Sequence, residues 1–570
     1  FQKDRLDQAA LAGEQSLSNW WLRSATSWHR GAGITYYDAD DTDLHRFADS
    51  YNMDVWTEGS ASLLAATTNP HTMASSSPEA CTNGTWFISD GNVYCYESDG
   101  DVVDVTAFAG SPHVLTTDGS SAFVGAADGI YKITSAYASS RIYDAPGGAW
   151  TVQSIGYVKD RLIVCAQITD AQPMRVFELG RNPSSATISL TDDSVWEFDS
   201  TTLSFKGVAE LTAAILVGCV VGTKSTVLSF GLDTSVAGVV SLKEPITVAG
   251  FPVGETLQAL RTYLNSYVVV GTSQGLRIGT ETTNGLGFTY GPLVVRDSVV
   301  GLAFGGEYVY ATRSALKGAV QGLWRVNLGE AVGSSYAYAP DLSTSVSEPT
   351  GVALIGNTGR LLITSGDGIW TESATVTAAA GELTSGKIRF GTTEAKQLVS
   401  MMTRVDGDTG SVTVAVSGSA GQFTSFLRSG EGIEQTDLSV AASPDPEFEI
   451  TLTFSRGGSS DPGPTIEEWQ IRALPAPQRS RTITLPLQCR PEETDALGNT
   501  RYSNAFERLQ ALEYLESLGG SVLLQDFSTG EERTCVIRAI QYDQPSPPSF
   551  VGGFSGVVIV QLQTVDTEDR

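Results

Sequence analysis

Asp38, Asp40, Asp41 and Asp43, in the stretch YYDADDTDLH, stand at the spacing with which a calcium loop presents carboxylates to a hard cation. Such a loop needs a glycine at its sixth position and a long bidentate acid at its twelfth. Here Asp43 takes the first of these places and Asp49 the second, so the run reads as a solvated acidic loop ahead of a weak calcium candidate. The four histidines, His29, His45, His71 and His113, show neither HExxH nor HxH spacing, which removes the common zinc geometries. His29 and His45 are expected to pack or to face solvent. Six cysteines (Cys81, Cys95, Cys165, Cys219, Cys489 and Cys535) include no CxxC. Cys95, Cys165 and Cys219 sit inside strand-like runs and are expected as small buried hydrophobes. A Cys489 to Cys535 disulfide stays open, because spacing does not decide it.

The elements around these residues repeat. An apolar run, a Gly, Asp or Ser turn and a second run ending in an aromatic or branched residue recur seven times between 85 and 373. The copies begin at Thr85, Ala122, Leu162, Ala214, Tyr267, Tyr308 and Leu361. The first and last starts lie 276 residues apart, a mean spacing of 46, roughly the length of four short strands with their turns. Most copies follow a further apolar stretch, at Val114, Val152, Leu257, Val299 and Gly351, which predicts an inner strand lining a central channel. A pair of β-sandwiches would also give strands with regular turns, but not this super-period. The reading is a seven-bladed β-propeller.

SDGNVY at Ser89 and SGDGIW at Ser365 resemble the Asp-box turns of sialidase propellers, but are shorter than S-x-D-x-G-x-x-W. Neither an arginine triad nor a nucleophilic tyrosine can be picked out. Asp90, Asp128 and Asp367 therefore read as hairpin-turn residues, where Asp-Gly favours positive φ. Neither enzymatic activity nor a cofactor is expected.

Composition narrows the partners. The 570 residues hold 64 acidic against 36 basic side chains, a net charge of -28, which repels phosphate backbones and anionic lipid. Nucleic acid is not an expected partner. The longest apolar run, at Leu211, has 12 residues, too few to span a bilayer as a helix. The chain opens on the polar stretch FQKDRLDQ without a visible signal peptide, and a missing upstream part stays open. Hydrophobic residues make up 41%, with 59 glycines, as a turn-rich β protein requires.

Four segments follow. Residues 1–80 read as an aromatic-rich arm, with strands at 34–37 and 53–57. Gly31 and Gly33 allow a tight turn, and Trp20, Trp21 and Trp28 are candidate interaction residues. This arm completes a blade or anchors a neighbouring subunit. Residues 81–375 form the propeller. Residues 376–474 form a small β-sandwich, with clean alternation at Val412, Val414, Val416 and at Ile450, Leu452, Phe454. Beyond Pro475 and Pro477, residues 475–570 form an α/β unit. Its helix carries Phe506, Leu509, Leu512, Leu515 and Leu518 on one face and ends at Gly519 and Gly520; Phe506 and Leu509 are further interaction candidates.

The opening GEQSLSNWWLRSATSWHRGAGITYYD with RFADSYNMDVWTEGSASLL resembles the start of minor tail proteins of long-tailed actinobacterial phages. The closing WQIRALPAPQRSRTITLPLQC and FERLQALEYLESLGGSVLLQDFSTGEERTCVIRAI are similar to the C-terminal region of the same family. The resemblance implies a structural virion protein of the tail tip or baseplate, assembled in the host cytoplasm with other phage tail proteins. By analogy with closed tail-tip symmetry, a homotrimer is expected. It implies a docking role for the C-terminal unit. Two other functions stay open: a receptor-binding protein gripping host envelope glycans through the propeller face, and a propeller glycosidase.

Overall fold

Strands that read as unbroken apolar runs are those packed on both faces. Arg161–Gln167, Ala214–Val221 and Leu361–Ser365 are buried almost throughout, because each lies second in a sheet whose two faces meet neighbouring sheets. The computed structural model describes the chain except residues 1–20, 38–44, 107–110, 145–149, 168–173, 182–194, 201, 237–238, 265, 315–320, 345–346, 408, 420, 440–442, 476–481, 490–491, 495–496, 503–504, 527–529, 543–555 and 565–570.

Six consecutive antiparallel sheets begin at Ser75–Cys81, Pro112–Thr117, Thr151–Val158, Leu203–Glu210, Leu257–Tyr263 and Leu302–Gly305, each continuing strand by strand outward. All have four strands except the fourth sheet, where Val239–Leu242 and Ile246–Gly250 both pair with Lys224–Val236. The seventh starts at Pro349–Leu354, and its outer strand comes from the other end of the chain. Ala65–His71 pairs with Gly368–Thr377, Thr68 opposite Thr371. First strands of successive sheets pack side by side, and the seventh packs against the first. The sheets thus form a closed β-propeller, and the expected inner strands do line its channel.

The seven repeat copies are the second and third strands of the seven sheets. Of the three Asp-Gly turns, Asp90 (φ 45°) with Gly91 (φ 74°) takes the positive-φ hairpin form. Asp128 and Asp367 work differently. Asp128 accepts the Tyr131 hydroxyl, and Asp367 accepts Ser365 Oγ and the Trp370 indole N–H, so the carboxylates fix these turns through side-chain bonds.

The aromatic segment is not a separate arm. Trp21–Ala25 is an edge strand beside Thr465–Pro475, Tyr36–Tyr37 runs parallel to Lys387–Ile388, and Asp49–Tyr51 pairs with Ala380–Thr384. The expected boundaries at 80 and 81 move accordingly: residues 65–71 belong to the propeller, Met53–Asp54 pairs with Ser62–Leu63 in a hairpin of its own, and the other earlier strands belong to the two sheets that follow the propeller. Those two sheets share one core, where Trp28, Phe47 and Val55 meet Met401, Trp469, Leu452 and Phe454. Val412, Val414 and Val416 lie opposite Phe454, Leu452 and Ile450, and all six side chains are buried, as their alternation predicts. The propeller is therefore an insertion between the two halves of this core.

The last unit is a four-stranded sheet in the order Thr482–Cys489, Gly556–Thr564, Glu531–Tyr542, Ser521–Asp526, with the helix Ala505–Leu518 on one face. Leu509 is buried and Leu512 half-buried, but Leu515 and Leu518 are exposed, contrary to a single apolar face. A spacing of three falls short of a 3.6-residue turn by about 60° each time, so Leu518 ends on the side opposite Leu509. Gly519 (φ 56°) ends the helix in the left-handed region. Register also settles the cysteines. Cys489 pairs with Gly556 and Cys535 with Thr564, about 27 Å apart along one strand, too far for a disulfide.

Candidate functional site

Among the described residues, two concavities stand out on the propeller. The first is the channel, a cavity of about 640 Å³ lined by the inner strands of all seven sheets. Its walls are polar where side chains point inward. Arg261 of the fifth sheet forms a two-bonded ion pair with Glu79 of the first, across the ring, so the lumen is bridged. The carboxylate holds the Arg261 guanidinium above its usual range.

The second concavity is a cleft of about 560 Å³ where the propeller rim meets the segment before it. Leu293–Asp297 leaves the fifth sheet, Arg313 and Ser314 end the second strand of the sixth, and Tyr336–Tyr338 opens its outer strand. Across from them run Arg30, Ala32, Arg46 and Asp49. Glycine makes this approach close: a Cβ on Gly31 (φ 83°) would lie 2.5 Å from the Tyr338 carbonyl oxygen, while Ala32 N–H donates to that oxygen at 2.7 Å. The turn expected at Gly31 and Gly33 thus serves a docking contact.

Four guanidinium groups line the cleft against two carboxylates. Arg30 is held by Glu330 at 3.0 Å, and Arg46 donates to the Ala32 carbonyl. Arg313 stacks over the Trp324 ring, 4.4 Å from its centroid, and Arg296 is exposed. Asp297 is buried, and burial raises its pKa. Its oxygens accept Ser298 N–H, Ser314 Oγ and the Trp324 indole, so it positions the wall. Burial also raises the Tyr338 hydroxyl, with Arg46 opposing.

The sequence candidates are scattered. Trp20, Asp38, Asp40, Asp41 and Asp43 lie outside the described residues, as does the Phe506 side chain. Trp28 is buried in the core after the propeller, and Trp21 stacks on Phe390 at 6.0 Å. Leu509 faces the C-terminal core. These three serve packing within the chain. Among the described residues, Glu97, Asp99 and Asp101 bring three carboxylates together, where Glu97 accepts the Tyr137 hydroxyl. His29 stacks on His45 at 5.1 Å. Cys95, Cys165 and Cys219 are buried as expected, and the Cys95 thiol, donating to Cys81, holds the Cys81 thiol below its usual range.

The arginine cleft was not foreseen, since its residues come from positions near 30–49 and 293–338. The one signal available was basic residues gathering at strand ends in a strongly acidic chain.

No family model and no curated protein matches the chain. Among solved structures it is similar to a streptogramin B lyase at 10% identity and TM-score 0.40, covering 54% of this chain and 97% of that one. It is similar to virginiamycin B lyase from Staphylococcus aureus at 12% identity and TM-score 0.38, covering 54% and 97%. A third is the Myceliophteria thermophila Cps50 (Swd1) beta-propeller domain, at 11% identity and TM-score 0.39, covering 54% and 100%.

Proposed function

We propose that this chain is a structural protein of a phage tail tip or baseplate, built as a seven-bladed propeller, a β-sandwich and a C-terminal α/β docking domain. It self-associates, joins other tail proteins and stands where it contacts the host surface. The observation that carries this reading is apolar surface on the C-terminal unit. Leu523 is 65% exposed, Val557 44% and Ile559 37%, all on the sheet face opposite the helix, because their strand neighbours Val522, Leu524, Val558 and Val560 pack under it, and apolar side chains on an uncovered sheet face mark an assembly surface. The likeness of both chain ends to minor tail proteins supplies the particle. A rigid closed propeller suits a scaffold that must survive outside the cell.

A receptor-binding role is the second reading, and the arginine cleft favours it, because loops at a propeller rim converge as a ligand platform. A glycosidase is disfavoured, since the Asp297 oxygens are already engaged by Ser298, Ser314 and Trp324. The test is association of the full chain by sedimentation velocity. Leu523→Asp with Ile559→Asp is expected to dissociate the oligomer without changing the Tm; unchanged association would remove the docking role of this unit.

A further inference from the structure

We infer that the cleft between the propeller rim and the segment 30–49 binds a short acidic saccharide through isolated carboxylates. This goes beyond the assembly reading and does not depend on it.

The cleft is an exception to its surroundings. A chain of net charge -28 repels anions at long range, yet Arg46, Arg296 and Arg313 line one cavity with Asp49 and Asp297, and Arg30 is matched by Glu330. Guanidinium groups pair with carboxylates in forked geometry and outperform a point charge there. Arg313 is pre-set by its stack on Trp324, at 4.4 Å, so little freedom is lost when it engages a ligand. The indole is in turn anchored by Asp297, at 3.3 Å.

The size and the other walls point to the rest of the ligand. A volume of about 560 Å³ is that of a small-molecule site. The Tyr336 and Tyr338 rings, Ser314 and Asp49 offer hydroxyl and carboxylate groups of the kind that sugar hydroxyls bond to. Charge selects among anions. A polyphosphate polymer brings a dense run of charge against the net field of the protein, whereas a sugar acid brings one carboxylate per ring. The assigned ligand is therefore a uronic-acid oligosaccharide.

The experiment is calorimetric titration of the full chain with trigalacturonate, with a neutral trigalactoside and a glycerol-phosphate oligomer as further arms. Arg296→Glu tests the cleft, and Lys224→Glu, at an exposed site on the fourth sheet, makes the same change in net charge elsewhere. The expected result is saturable binding of trigalacturonate, none of the neutral sugar, and a tenfold or greater loss in Arg296→Glu only, with Tm unchanged. Three results overturn the proposal: no binding of trigalacturonate, equal binding by the two variants, or tighter binding of the glycerol-phosphate oligomer. Oligomer mass is read on the same samples, so loss of the ligand and loss of assembly are seen separately.

Discussion

Arg261 and Glu79 join across the central channel, 182 residues apart in sequence, through two parallel hydrogen bonds. The pair ties the first sheet to the fifth, on the far side of the ring. Its side chains are 41% and 15% exposed, so solvent screens part of its attraction. Glu79→Gln keeps the shape and removes the charge. It should cost about 1 kcal/mol, and the difference in Tm from the parent should shrink in 1 M salt.

Ring closure rests on a strand from outside the repeat. Thr68 and Thr371 are opposed in register with hydroxyls 3.0 Å apart, close enough for a cysteine pair. In Thr68→Cys with Thr371→Cys, oxidation should form one cross-link and raise the unfolding free energy by about 3–5 kcal/mol, with a rise in Tm that dithiothreitol reverses. Absence of the cross-link on non-reducing peptide maps would mean that another segment closes the ring.

Two glycines separate backbone strain from close approach. Gly31 and Gly59 have φ of 83° and 86°, but only Gly31 has backbone within reach of an added Cβ. Gly59→Ala should cost about 1 kcal/mol, the left-handed penalty alone. Gly31→Ala should cost about 3 kcal/mol or more, because the Tyr338 carbonyl must also move. Chemical denaturation of both variants measures the difference.

Lys396 is fully buried, and its ammonium donates to the carbonyls of Thr392, Glu394 and Pro446 at 2.6–2.7 Å. Burial pushes its pKa down to about 7. A depressed lysine releases its proton in the folded state before the unfolded state does. Its contribution to stability therefore rises with pH between about 7 and the free value of about 10.4, by up to about 1.4 kcal/mol per unit. The stability of the parent relative to Lys396→Met should climb over that window and stay level below it.

Much of the propeller was legible because each hairpin is a local feature. GTWFIS and NVYCYE flank a two-residue Asp90-Gly91 turn, and such patterns need no knowledge of the rest of the chain. The core around Trp28 was not legible as a joint structure. Two of its N-terminal strands, Tyr36–Tyr37 and Asp49–Tyr51, are two and three residues long, too short to carry a period, and their partners lie beyond the inserted propeller. The helix misled for the opposite reason: a neat run of leucines at spacing three looks like a face and winds around the axis. The cleft needed Arg296 and Arg313 brought to Arg46 through the Gly31 to Tyr338 contact, and nothing in the local sequence announces that contact.

The proposed tail-tip role requires the chain to assemble with itself. Sedimentation velocity on the purified full chain, with negative-stain images of the same sample, tests it most directly. The account predicts a closed particle of several copies, three by the expected symmetry, with the C-terminal units at the contacts. A stable monomer at tens of micromolar that hydrolyses cell-wall sugars would contradict it.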